Sequence, residues 1–334
     1  MPSKATGQFE ILLTLKGETP PEIAQKIELA GRTCYKSYEK ITTDSAGGFI
    51  NGILKRGHES VIEHSYFVFL LKNLKAEPIL NLILANPLLA LGLEQLTTDQ
   101  WLLSGNARMF RDLFRNAPTD ELVRALWEKL AGLAPLLFKD LILAKPTLDF
   151  ALELNPKLTY NLEQQKKHWW AMVRFKDCSR ALTHQLVRHR LMAISQESQR
   201  YCDEQGIYKN NYFVTPPAIK AAGLTAKYQE QIKNIDQAYQ ELQADLKQAQ
   251  LAGQTNSKIN EDARFILPNA CCSEIVISTN LQEWRHIFKM RCDSHAQWEI
   301  RYLMLDVLRE FKKIFPGVFD DFIETPDGES ASLI

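Results

Sequence analysis

Short apolar runs rich in Val, Ile, Phe and Tyr stand at 9–15, 66–71, 172–176 and 275–279, and each predicts a strand. The stretches between them carry apolar residues at three- and four-residue spacing, which predicts helices. The first helix opens at Thr19-Pro20-Pro21-Glu22: a capping threonine, prolines in the first turn and a glutamate three residues on. It turns Ile23 and Ile27 inward and runs toward Tyr35. A second begins near Ser45 and ends at Gly57, which can take the left-handed conformation that closes a helix. Ser179 caps a helix expected over 179–192, with Leu182, Leu186 and Val187 on its inner face. The Gln- and Lys-rich region 218–252 predicts helix with one packed and one solvated face. The last long helix opens at Ser294-His295-Ala296-Gln297, buries Ile300, Leu303, Val307, Phe311 and Ile314, and stops at Pro316-Gly317.

A Leu-rich stretch punctuated by prolines fills 75–167, between the second and third strands. It reads as an inserted helical subdomain. The expected fold class is therefore α+β: a central, mostly antiparallel sheet flanked by helices, with a long inserted helical subdomain. The organisation that follows is one discontinuous domain, 1–74 and 168–325, the insertion at 75–167, and a frayed tail at 326–334. No internal repeat is visible.

Composition narrows the function. The chain has 334 residues, 40 Lys and Arg against 40 Asp and Glu, and 45% hydrophobic residues, so it is an ordinary globular protein with no global field for nucleic acid or membrane. Its most lipid-like run, 79–93, is broken by Asn81, Asn86 and Pro87 and is shorter than the roughly 20 apolar residues of a membrane span. No secretory pattern opens the chain, which predicts a cytoplasmic protein. The six cysteines show no CxxC spacing, and reduced thiols are expected.

Local charge is another matter. The segment 166–200 holds eight Lys or Arg against two acids, Asp177 and Glu197, and three of the seven histidines. Within it, Arg188-His189-Arg190 is followed by Ser195, Gln196, Glu197, Ser198, Gln199 and Arg200. Short polar side chains between arginines point to oriented hydrogen bonding of one anionic ligand, beyond simple attraction. On a helix, Gln185, Arg188 and His189 share a side and Arg190 lies opposite Arg188, so the two arginines suit two ligands or two chains. The bland alternative is a solvated basic helix surface.

Two further clusters carry chemistry. Gly57-His58-Glu59-Ser60-Val61-Ile62-Glu63-His64 could hold a metal, pack as polar structure or contact a ligand; the absence of HExxH counts against the metal. Arg291 through Ile300 sets an arginine just ahead of helix first-turn amides, a place for an anion, or merely a capped helix with a surface ion pair. Arg264 and Asn280 flank the fourth strand. There is no GxGxxG after a strand and no GxxxxGK[ST], so no nucleotide is bound in those manners.

Taken in order, Arg188-His189-Arg190 with Ser198 after seven intervening residues, Gly57-His58-Glu59-Ser60 with Glu63-His64, Arg264 with Leu267-Pro268, Asn280, and Arg291 to Ile300 resemble the flavin-dependent thymidylate synthases. The resemblance covers roughly 9–72 and 170–320 and makes 1–74 with 168–325 the catalytic domain. It implies reductive methylation of dUMP to dTMP with FAD, methylenetetrahydrofolate as carbon donor and NADPH as reductant. It also implies a homotetramer with active sites shared between subunits, and no metal. Matching positions place Gln185, Arg188, Gln196, Glu197, Ser198, Gln199, Arg200, Arg264 and Arg291 at the nucleotide. They place His58, Ser60, Glu63, Arg188, His189, Arg190, Leu191, Gln196, Asn280, His286 and His295 at the flavin.

Arg291, Ser198 and His58 are the implied catalytic positions. No base neighbours Ser198 in sequence, so it is assigned to binding rather than nucleophilic attack. The chain departs from a common family variant at Ala193, Ser195 and Gln196, where Ser, Asn and Glu occur, and Gln282 stands where an arginine often follows the asparagine. Two other functions compete. The basic segment with Trp169, Trp170 and Tyr201 fits RNA binding, and His58, Glu63 and His64 fit a metal-dependent hydrolase.

Overall fold

The computed structural model describes residues 6–14, 19–256 and 258–333. In chain order its strands are β1 (Gln8–Thr14), β2 (Phe67–Lys72), β3 (Leu93–Gln95), β4 (Trp101–Gly105), β5 (Ala151–Leu154), β6 (Trp170–Ser179), β7 (Ala193–Gln196), β8 (Cys272–Asn280), β9 (Phe322–Glu324) and β10 (Ala331–Leu333). One antiparallel sheet runs in the order β1-β6-β8-β7. Alternation along its strands decides the layers. Ala171, Val173 and Phe175 of β6 and Ile275 and Ile277 of β8 face the helices Leu281–Arg291 and Trp298–Ile314, meeting Trp284, Phe288, Leu303, Val307 and Phe311. Their neighbours Met172 and Val276 face the other way, against Ala30 of the helix Pro20–Thr33. Aromatic rings lock the first layer: Phe288 and Phe311 meet edge to face at 5.4 Å, and Trp284 lies 5.0 Å from Phe311.

The structure corrects the sequence reading of 75–167. That region does contain helices, at Ala76–Ala85, Ala107–Asn116 and Glu121–Leu133, but it also supplies β3, β4 and β5. These join β2 in a second antiparallel sheet, ordered β3-β4-β2-β5, so β2 leaves the first sheet altogether. Phe67, Phe69 and Leu71 point to a core with Leu103, Phe110, Phe114 and Phe138, while Val68 and Leu70 pack with Leu102 and Tyr160 on the other face. A strand buried on both faces reads as a continuous apolar run, and FVFLLK is one.

Three element ends also differ from expectation. The Ser179-capped helix is Arg180–Leu186 and stops before Arg188; its cap is as read, Ser179 Oγ accepting the Leu182 amide at 3.0 Å. The final helix starts at Trp298, capped by Gln297 instead of Ser294: the side-chain Oε1 of Gln297 accepts from the amides of Glu299 and Ile300. The tail at 326–333 is not frayed. β9 and β10 form a hairpin whose buried Ala331 donates its amide to the Cys292 carbonyl at 2.9 Å. Among the described residues no helix is long and apolar enough to cross a membrane, and all six cysteines are free.

Candidate active site

Candidate side chains fall in three groups: the turn after the helix Arg180–Leu186, the loop after β7, and the 3-10 helix Glu59–His64. The first is built around the turn after Leu186. The last carbonyls of a helix lack partners within it, and here the Leu186 carbonyl accepts the His189 amide at 3.1 Å while that of Gln185 accepts a terminal nitrogen of Arg291 at 3.0 Å. A cation at a helix C-terminus is favoured by the dipole as well. Arg291 Nε also donates to His189 Nε2 at 3.0 Å, and His189 Nδ1 faces Glu283 at 3.8 Å. His189 is buried, and that burial, with the charge of Arg291 and His286 beside it, depresses its imidazole to about 4. The ring is neutral at physiological pH. Burial, then the charge of Arg188, lowers Arg291 too, and Gln185 Nε2 reaches Gln297 Oε1 at 3.5 Å.

Because residues 188–190 follow the helix, they share no helical face. Arg188 and Arg190 are exposed on the turn that leads into β7.

The second group surrounds Ser198. Its amide donates to the Cys34 carbonyl at 3.0 Å, and its hydroxyl accepts the Arg200 amide at 3.3 Å. Arg200 reaches a Glu261 carboxylate oxygen at 3.1 Å while Arg264 Nε donates to the Glu261 carbonyl at 3.1 Å, so both arginines converge on one residue. Gln196 and Glu197 turn inward. Gln196 Nε2 donates to Thr183 Oγ1 at 2.9 Å, and the buried Glu197 carboxylate takes the Tyr212 hydroxyl at 2.9 Å, the Glu274 amide at 3.0 Å and the Lys36 ammonium at 2.5 Å. Gln199 is buried, and its side-chain nitrogen has no hydrogen-bond partner among the described residues.

The third group lies on the short 3-10 helix Glu59–His64. His58 and Ser60 are exposed; Glu63 is half-buried and paired with Arg108 at 2.9 Å. His64 is fully buried, with Nδ1 2.7 Å from Ser278 Oγ and Nε2 3.1 Å from Ser195 Oγ. His58, Glu63 and His64 therefore do not converge, which removes the basis for a metal-dependent hydrolase there. Where His and Glu atoms do gather, at His189, Glu283 and His286, Arg291 stands against His189 and opposes a second cation. His295 is exposed and bonded to Asp293 at 2.8 Å.

The nucleic-acid reading loses its footing as well. Trp170 is buried and stacked on Tyr66 at 4.2 Å, and Trp169 packs between Tyr160 and Phe315. Lys166 pairs with Glu163, Lys167 donates to the Leu93 carbonyl, and Arg174 and Lys176 pair with acids on neighbouring strands. The basic segment is thus spread over a helix, a strand and a turn rather than one stacking surface.

Between the first sheet and the inserted region lies a cavity of about 570 Å3, within the range of small-molecule and cofactor sites. Glu63, Arg190, Leu191 and Asn280 line it together with Leu88, Leu91, Asn106, Arg108 and Met109 of the inserted region, and the stacked Tyr66 and Trp170 add to the wall. Asn280 caps the helix Leu281–Arg291 by accepting the Glu283 amide at 2.8 Å. Arg108 and Lys36 escaped sequence reasoning, since their carboxylate partners are remote in sequence. Glu283 had a weak signal in its place three residues after Asn280.

A sheet end carrying a guanidinium clamped on a neutral imidazole, arginines around a serine, and an amphipathic cavity defines an α+β ligand-binding protein. Residues 15–76 and 160–317, well over half of the chain, match the family described as thymidylate synthase complementing protein. A flavin-dependent thymidylate synthase of Nitratidesulfovibrio vulgaris is 43% identical over 142 residues, 42% of this chain and 55% of that protein. One of Clostridium tetani is 34% identical over 171 residues, 50% of this chain and 68% of that protein. The first alignment thus spans only about half the relative's length. A crystal structure of thymidylate synthase X from Helicobacter pylori with FAD and dUMP is similar over 47% of this chain and 76% of that one, at 16% identity and a TM-score of 0.34, too low to carry an argument. The chain belongs to the flavin-dependent thymidylate synthase family.

Proposed function

We propose that this chain is a flavin-dependent thymidylate synthase that methylates dUMP reductively to dTMP, with FAD as cofactor, methylenetetrahydrofolate as carbon donor and NADPH as reductant. The observation that carries the reading is the Arg291–His189–Gln185 clamp, formed by residues of the family-matched segments that are remote in sequence. A cationic guanidinium there suits stabilisation of negative charge developing on a pyrimidine ring. Its neighbour His189 is neutral, so it adds no competing charge and offers Nδ1–H as a donor. Ser198, Arg200 and Arg264 suit a phosphate: an oxyanion can take the guanidinium groups from Glu261, whose carboxylate holds Arg200 at an exposed site and whose carbonyl holds Arg264.

The residues lining the cavity fit a flavin. They offer an aromatic pair, aliphatic walls, the Asn280 amide and the Arg190 guanidinium, the mixture expected for a large ring system with polar substituents. Bound FAD supplies the hydride that the protein's own side chains cannot. His58 stands apart from the clamp: no hydrogen bond or ion pair links it to Arg188 or Arg291 among the described residues. That separation is consistent with a homotetramer whose sites combine groups from several subunits, in the cytoplasm.

The test is an absorbance spectrum of purified protein, with FAD added if needed. A flavin spectrum that bleaches with NADPH and recovers with formation of dTMP on adding dUMP and methylenetetrahydrofolate is expected. A protein that neither carries nor binds FAD overturns the assignment.

A further inference from the structure

The ligand cavity has walls of two origins. Arg190, Leu191 and Asn280 lie in segments that match the family, whereas Leu88, Leu91, Asn106, Arg108 and Met109 lie between residues 76 and 160, outside the match. The inserted region therefore does more than decorate the surface. Its one guanidinium on this wall, Arg108, lies 2.9 Å from Glu63 and 3.8 Å from Asp112.

We propose that Arg108 is a ligand-binding residue, exchanging Glu63 for a phosphate of the flavin dinucleotide, so that the inserted region supplies part of the cofactor site. The inference rests on the function proposed above.

Three observations support the exchange. Arg108 is anchored at its helix but 45% exposed at its side chain, so it can turn without disturbing a core. Its present partner is replaceable: burial raises Glu63 above the usual carboxylate range even with Arg108 beside it. A diphosphate brings more charge than a single carboxylate and matches the planar guanidinium fork with two parallel hydrogen bonds. Arg190 adds a second guanidinium to the same cavity and makes no ion pair among the described residues.

The full chain, freed of nucleotide, is titrated with FAD and with riboflavin, which has the ring system but no phosphate. Arg108→Gln should weaken FAD binding about tenfold, the loss of one charge-assisted contact, and leave riboflavin binding within about twofold. Arg108→Lys, which keeps the charge and loses the fork, should fall between wild type and R108Q for FAD. Equal losses for FAD and riboflavin would make Arg108 a support for cavity shape and overturn the inference, as would unchanged FAD affinity. Those failures leave FAD binding by the wild type intact; a wild type that binds no FAD removes the functional reading and this inference together.

Discussion

Arg291 Nε lies 3.0 Å from His189 Nε2, and its terminal nitrogen lies 3.0 Å from the Gln185 carbonyl. One guanidinium thereby closes the helix Arg180–Leu186 and sets the tautomer of the histidine behind it. With Nε2 accepting, the ring hydrogen sits on Nδ1, toward Glu283. The charge of Arg291 is also one reason, after burial, that His189 stays neutral. Arg291→Ala should cut dTMP formation at least about 100-fold while FAD remains bound, and should move the His189 titration upward from about 4. Product assay, flavin fluorescence and histidine NMR read the three effects. Wild-type turnover in R291A would take the guanidinium out of the chemistry.

Ser198 has a different place. Its hydroxyl only accepts the Arg200 amide at 3.3 Å, and none of the hydrogen bonds it makes among the described residues is to a base. Ser198→Ala should raise the KM for dUMP about five- to tenfold, the scale of one hydrogen bond, with kcat nearly unchanged. Steady-state kinetics check this. Loss of kcat at intact nucleotide affinity would instead give the hydroxyl a role in the reaction.

What could be read from the chain, and what could not, follows from the range of the interactions. β1, β6 and β8 of the first sheet announced themselves because Val, Ile and Phe cluster there, whereas the short β7, AISQ, did not, and the Ser179 cap needed only residues three apart. β4 and β5, Trp101–Gly105 and Ala151–Leu154, are Leu-rich and short, and become strands by pairing with β2, β4 with β3 as well. The helix over 179–192 looked continuous by period. It ends at Leu186 because a remote residue, Arg291, takes the Gln185 carbonyl and β7 then pairs with β8. The family residues around Arg188 and Ser198 were legible from spacing. The inward turn of Glu197 toward Lys36 and the pairing of Glu63 with Arg108 were not, since no local pattern encodes a contact between remote segments.

His64 ties the helix Glu59–His64 to the sheet through Ser278 and Ser195. Burial depresses its imidazole to about 3. His64→Ala leaves two buried hydroxyls without that partner and opens a cavity, which should cost about 2–4 kcal/mol of stability. Urea unfolding measures it. A loss below about 1 kcal/mol would show that the hydroxyls find other partners at little cost.

Glu204 is buried beside Glu197, and burial followed by the neighbouring charge pushes its carboxyl up to about 8. The folded protein holds this proton more tightly than the unfolded chain does. Its contribution to stability is therefore full below the ordinary carboxylate range and is lost as pH rises toward about 8. Glu204→Gln, which cannot ionise, should melt close to wild type near pH 5 and roughly 3 °C or more above it near pH 9. His189 runs the other way: its depressed value gives stability that is full above the ordinary histidine range and lost as pH falls toward about 4. A melting difference between E204Q and wild type that does not grow with pH would place the proton elsewhere.

Replacing residues 77–159 by a short Gly-Ser linker tests whether the inserted region is separable. β2 stays in such a variant, but its partners β4 and β5 are gone, and so are Leu103, Phe110, Phe114 and Phe138, which cover Phe67 and Phe69. Each of those phenylalanines buries about 1.5–3 kcal/mol of apolar surface, and the exposed strand would offer an unpaired edge to other chains. The pairing of β2 with β4 and β5 makes the inserted region part of the fold. The variant should collect as insoluble aggregate, and any soluble fraction should lack a cooperative melt. A soluble, cooperatively melting variant with wild-type FAD affinity would mean that the first sheet and its helices fold without this region, and that Arg108 contributes nothing to the cavity.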